Sequence, residues 1–279
     1  MEIIHKSLSL LIVAGALALL PGCVEDPVVH PQEQQGQDPQ PSNAVDITLK
    51  QYTKISSPVS EISGMCFNKD ASGFFVVSDE EGLFEVGLDG KKVREIWTSS
   101  SWGKGEDHDL EAVAYDAAGG KLYVLDETES RIYLLSGTNL DTRSVFMDIK
   151  MGGTDSDKGP EGMSWGDGKL FVTNQGSPTK LAIIDVAAKK VTTEKNISFV
   201  KKYLSDVCYD SKDGTLWIID SKADAFFHCS QDGALLGTYR LGFSVAQAEA
   251  IAIDRKNSCV WLGSDEKPSS SIYKIPLTF

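Results

Sequence analysis

The chain has little positive charge: 27 lysines and arginines stand against 40 acids, a formal net charge of -13 over 279 residues. Binding to a phosphate backbone needs a basic footprint, so nucleic acid is not an expected partner. Neither a nucleophile elbow nor a phosphate loop occurs. No segment keeps a helical period, and helix content is expected to be low. The one continuous apolar run, Leu8 to Leu20, is too short for a comfortable membrane span.

That run follows Lys6 and ends in Leu20-Pro21-Gly22-Cys23, which has the charge asymmetry of a secretory signal and looks like the lipobox of bacterial lipoproteins. Residues 1–22 are therefore expected to be a signal peptide, with Cys23 the lipidated first residue of the mature chain. Multiple acyl chains would anchor it stably to a membrane. Val24 after the cysteine is similar to Gram-negative patterns that sort to the outer membrane. Residues 23–44 are rich in Pro, Gln, Asp and Gly and nearly free of apolar residues, so they read as a tether.

The remainder, residues 45–279, contains one unit five times. It is clearest from His108 to Glu127, HDLEAVAYDAAGGKLYVLDE, where two short apolar runs are joined by a Gly-containing turn. The first runs begin at Ser63, Glu111, Glu161, Ser205 and Glu249, about 44 to 50 residues apart, a period that suits a four-stranded propeller blade. Each has Glu or Ser, a small residue, an apolar one, a small one, usually an aromatic, then usually Asp or Asn. Second runs end at Asp79, Asp126, Asn174, Asp220 and Asp265, and third and fourth strands follow. The fifth copy stops at Phe279 after its third strand. A lone alternating strand between Val45 and Ile55 is expected to supply its missing outer strand and close the ring. The fold expected is an all-β, five-bladed β-propeller; six blades would be needed if Glu95 to Glu106 or Ser144 to Lys158 held extra strands.

In a propeller the first strand of each blade lines the central channel. Glu111, Glu161 and Glu249 should converge at one mouth with Ser63 and Ser205, and the acids that end the second strands should lie one layer out. None of these ten positions holds Lys, Arg, His or Cys. Clustered carboxylates need protons or a cation, and an oxygen-only set suits a hard cation such as calcium better than zinc. The expected ligands are Glu111, Glu161, Glu249 and Asp126, with Asp79, Asp220 and Asp265 as further candidates. The competing reading is that these acids cap strands.

The repeated motif, together with Gly159-Pro160-Glu161-Gly162-Met163, Gln247-Ala248-Glu249-Ala250-Ile251-Ala252 and the Asp-ended second strands, resembles the SdiA-regulated (YjiK-like) propeller family, itself distantly similar to NHL-repeat proteins. The resemblance covers residues 47 to 279. It implies a five-bladed propeller, a calcium site and no established enzymatic activity. Asp206 departs from the pattern, where other copies have Gly or Ala, and is expected either to add a ligand or to distort its blade.

Cys66 and Cys208 share one repeat position and read as small core residues. Cys229 and Cys259 fall in adjacent blades, where a disulfide is permitted but not established. His108 reads as a loop residue, with a general base as the alternative, and His228 as structural. The aromatics Tyr115, Trp165, Tyr209, Trp217 and Trp261 read as packing between blades. Two functions remain open: a lipid-anchored, calcium-binding module that holds a protein or glycan partner at the cell envelope without catalysis, and a metal-dependent hydrolase of lactonase or phytase type. The absence of a base and of cations to hold an anionic substrate favours the first.

Overall fold

The computed structural model describes residues 44–102, 108–151, 158–200 and 203–279. The segment expected to be a signal peptide, Cys23 and all but the last residue of the expected tether lie outside them. Among the described residues, no helix is long and apolar enough to cross a membrane.

Five antiparallel sheets follow one another as blades. Blade one is β3 (Ile62–Phe67), β4 (Gly73–Ser78), β5 (Gly82–Gly87) and β6 (Lys92–Thr98), followed by the short helix α1 (Ser99–Trp102). Blade two is β7 (Leu110–Asp116), β8 (Lys121–Asp126), β9 (Arg131–Ser136) and β10 (Thr142–Asp148). Blade three is β11 (Pro160–Gly166), β12 (Lys169–Asn174), β13 (Lys180–Asp185) and β14 (Lys190–Asn196). Blade four is β15 (Leu204–Asp210), β16 (Thr215–Asp220), β17 (Ala225–Cys229) and β18 (Leu235–Leu241). Blade five has three strands of its own, β19 (Ala248–Asp254), β20 (Cys259–Ser264) and β21 (Ser271–Pro276). The segments searched for a sixth blade instead hold the outer strands β6 and β10.

The closing segment is more elaborate than one strand. It divides into β1 (Val45–Leu49) and β2 (Thr53–Ser56). Strand β2 pairs antiparallel with β21 and completes blade five, as expected. Strand β1 runs parallel to β18 and adds a fifth strand to blade four. The N-terminal segment thus fastens two neighbouring blades.

Second strands are continuous apolar runs because both of their faces are covered. In β4, Phe74 and Val76 join the core between blades five and one, while Phe75 and Val77 join that between blades one and two. Five such cores, one per blade junction, carry the hydrophobic burial. The repeated aromatics lie in them: Tyr115 meets Phe75 edge-on at 5.0 Å between centroids, and Tyr209 stacks on Phe171 at 5.2 Å.

The small residue at the second repeat position answers to the spacing of inner strands. A Cβ added to Gly64 would lie 2.6 Å from the Glu111 carbonyl oxygen, and one on Gly162 would lie 2.4 Å from the Asp206 Cα. Asp206 neither distorts its blade nor joins the acidic mouth. Its Oδ1 accepts from the Val207 N–H at 2.8 Å and its Oδ2 from the Ile251 N–H at 2.9 Å. It also accepts from the Met163 N–H, so one buried carboxyl ties blades three, four and five across the channel. Burial holds its pKa well above the usual carboxylate range.

Candidate functional site

A shift of register occurs at the same place in every inner strand, between Ile62 and Gly64, Leu110 and Ala112, Pro160 and Met163, Leu204 and Asp206, and Ala248 and Ala250. The residue skipped in this way is the first of each repeat, Ser63, Glu111, Glu161, Ser205 or Glu249, joined in blade three by Gly162. A bulged residue leaves the sheet's in-and-out alternation and is re-aimed. This local irregularity delivers the three glutamates to one mouth of the channel.

There they crowd each other. Burial, then the charge of Glu161, then that of Asp109 raise the Glu111 pKa well above its ordinary value. Burial, Glu127 and Glu249 do the same to Glu161, and Glu111 and Glu161 share a hydrogen bond. Burial and Asp265 push Glu249 up to about 8. Carboxylate oxygens of Asp109, Glu111 and Glu127 all lie within 4.8 Å of one another. Glu127 is fixed by the Gly159 N–H, which donates to its Oε1 at 2.5 Å. Neither Asp109 nor Glu127 was expected from the sequence. They flank the hairpin of β7 and β8, Asp109 two residues before Glu111 and Glu127 one residue after Asp126.

Pairing divides the acids expected to form the outer layer into two kinds. Asp126 and Asp220, with Asn174 and Ser78, end the second strands opposite Leu110, Leu204, Pro160 and Ile62. These residues cap the following turns: the Glu129 N–H donates to Asp126 at 3.2 Å, the Lys222 N–H to Asp220 at 3.0 Å and the Glu81 N–H to Ser78 at 3.1 Å. Asp79 and Asp265 lie one residue later, at the position Glu127 holds in blade two. Burial and Glu61 push Asp79 up to about 7, with Asp109 and Asp265 adding to the shift. Asp265 accepts from Gln247 Nε2 at 2.6 Å and is raised chiefly by burial. The mouth thus brings together Glu111, Glu161, Glu249, Asp79 and Asp265 with Asp109, Glu127 and Glu61. Asp220 instead holds a turn, and Asp126, besides capping its turn, lies within 4.8 Å of ligand atoms of His108 and Glu129, a second group that could hold a metal ion.

Asp126 has a second partner. His108 Nδ1 lies 2.5 Å from its Oδ2, with both side chains buried, so His108 is not the isolated loop residue that its sequence context implied. His228 is structural, stacked on Trp217 at 4.3 Å and bonded through Nε2 to Thr215 Oγ1 at 2.8 Å. The four described cysteines are free thiols.

Two like charges 4.8 Å apart repel by roughly 3 kcal/mol at an effective dielectric near 20, and a cation between them reverses that sign. Calcium binds oxygens at about 2.3–2.6 Å, so ligands on opposite sides of one ion lie about 5 Å apart. The oxygens of Asp109, Glu111 and Glu127 meet that requirement. Glu61, held by Lys267 at 2.7 Å through Oε1, keeps its Oε2 buried without a hydrogen-bond partner among the described residues. The donor set is oxygen throughout and fits a hard divalent cation.

The fold and this mouth define a five-bladed propeller with an acidic channel entrance. The SdiA-regulated family model matches residues 40–195 and 182–277, and the chain belongs to that family. A search of curated proteins finds no match in sequence. Among solved structures, glutaminyl cyclase of Myxococcus xanthus is similar with a TM-score of 0.59 and 14% identity, over 85% of this chain and 100% of that one. The nidogen/laminin complex gives 0.53 and 12% identity, over 77% of this chain and 86% of that one. A luciferin-regenerating enzyme gives 0.51 and 13%, over 78% of each. Likeness at such identities speaks for the fold.

Proposed function

We propose that this protein is a calcium-binding propeller that works as a non-enzymatic binding module, tethered to the cell envelope through lipid on Cys23. The observation that carries the metal is the convergence of Asp109, Glu111 and Glu127 within 4.8 Å, with Glu161 crowding Glu111 and Glu127. Calcium would stiffen the channel mouth, and the loops around it would hold a protein or glycan partner on a rigid face. The outer membrane is the proposed anchorage.

A calcium-dependent hydrolase is the reading to be tested against it. Esters, lactones and phosphoesters are offered to the protein with calcium and with chelator, alongside Glu161→Gln. No chelator-sensitive turnover is expected. Turnover that chelator abolishes and Glu161→Gln loses would replace the binding module with an enzyme.

A further inference from the structure

The channel has a second mouth on the opposite face, and its chemistry differs from the first. Below Asp206 it opens into a cavity of about 300 Å³ lined by all five inner strands. This lies at the lower end of the range for small-molecule pockets. Phe67, Tyr115, Trp165 and Tyr209, at equivalent repeat positions, form its aromatic wall, and Cys66 and Cys208 are among its lining residues. The lining includes one carboxylate, Asp167, and no Lys or Arg.

Inner strands have a ladder partner on one edge only, so alternate backbone N–H groups point into the channel. At the aromatic position three of these groups are capped by the preceding blade. The Tyr209 N–H donates to Ser164 Oγ at 2.8 Å, the Ile253 N–H to the Cys208 sulfur and the Tyr115 N–H to the Cys66 sulfur. The equivalent residues before Trp165 and Phe67 are Ala114 and Ala252, whose methyl groups accept nothing. In blade one the alternation is explicit: the Asn68 N–H bonds back to Gly73 O at 2.9 Å, so the Phe67 N–H faces the channel. Two donors from blades one and three therefore enter an aromatic cavity without the cap their counterparts have.

We infer that this lower cavity is a binding site for a small, flat, uncharged organic molecule whose carbonyl-type oxygen accepts from the Trp165 or Phe67 N–H while its ring packs on the aromatic wall. Aromatic walls reward a planar body. Backbone donors reward an acceptor, since an unmet donor in such a cavity costs free energy. Anions are disfavoured, because the lining offers no cation to an incoming carboxylate and Asp167 stands at the rim. Burial raises the Cys66 and Cys208 thiols, with Cys208 at about 12, so they stay protonated and the site binds rather than reacts.

The test uses three probes of one size and different charge: benzamide, benzoate and benzamidine. Binding is read by saturation-transfer NMR and by quenching of tryptophan fluorescence. Benzamide is expected to saturate and to bind about ten-fold more tightly than either charged analogue. Ala117→Trp, on the exposed rim of the cavity, is expected to abolish the effect. Ala114→Ser, which gives the Trp165 N–H the cap that Ser164 gives Tyr209, is expected to weaken benzamide about five-fold with thermal stability retained. The inference is overturned if benzamide does not saturate, if Ala117→Trp binds it unchanged, or if either charged probe binds as well as benzamide.

Discussion

Glu111 is the residue on which most of the acidic mouth depends. Its place on a register shift takes it out of the sheet, and its neighbours Asp109, Glu127 and Glu161 are all of its own sign. Without metal, such groups hold their protons in the folded state beyond the pH at which they lose them when unfolded. Asp79 at about 7 and Glu249 at about 8 compare with ordinary values of about 3.9 and 4.3. Between pH 4 and 8 the folded protein then binds more protons than the unfolded chain, so stability falls as pH rises through that window. Thermal melts in chelator should show a Tm that declines from about pH 5 to pH 8. Excess calcium should flatten or reverse the decline, because it competes with those protons. A chelated protein whose Tm rises steadily to pH 8 would contradict the electrostatics described here. At this scale the repeated glutamates were legible, since they recur with their blades. Asp109 and Glu127 were less so: acids recur at their positions only in some blades, as Glu61 at the first and Asp79 and Asp265 at the second, while the other blades hold Gly159, Tyr203 and Gln247, and Gln175 and Ser221.

At the scale of elements, the inner strands pack so closely that only a small second residue fits, and Asp206 turns the one exception into a fastening. The sequence flagged Asp206 as an anomaly but left its role open, because three backbone donors from three blades converge there only in the closed ring. Asp206→Ala should leave those donors unmet at a cost of about 2–4 kcal/mol. For a domain of this length that lowers Tm by about 5–12 °C, measurable by calorimetry, while Asp206→Asn should recover part of the loss. The division between Asp126 and Asp79 also belongs to this scale. Both follow an apolar run and both read as strand-ending acids. Only pairing shows that Asp126 is opposite Leu110, whereas Asp79 lies one residue beyond Ser78, which is opposite Ile62. A one-residue offset of this kind is invisible in short continuous apolar runs and decides which acids reach the mouth.

For the molecule as a whole, closure was legible from arithmetic: a last blade one strand short and a first strand without a hairpin partner. That the segment would also run parallel to β18 was not, since Val45 to Leu49 has no pattern that separates an outer strand from an added fifth one. Removing residues 45–56 should expose the edges of β21 and β18 together, with loss of cooperative unfolding and association through open edges, visible by calorimetry and light scattering. At the other end of the tether, Cys23→Ser should move the protein from the membrane fraction to the soluble fraction of cells, if lipid on Cys23 is the anchor.

The central claim is that the acidic mouth holds a calcium ion, and calorimetric titration of chelator-treated protein at pH 7.5 tests it most directly. A saturable calcium site is predicted, weakened about ten-fold or more, or about 1.4 kcal/mol, by Glu111→Gln. It should be unaffected by Asp220→Asn, whose parent carboxylate caps a turn outside the cluster. The absence of calcium binding at millimolar metal, or full affinity in Glu111→Gln, would contradict the account.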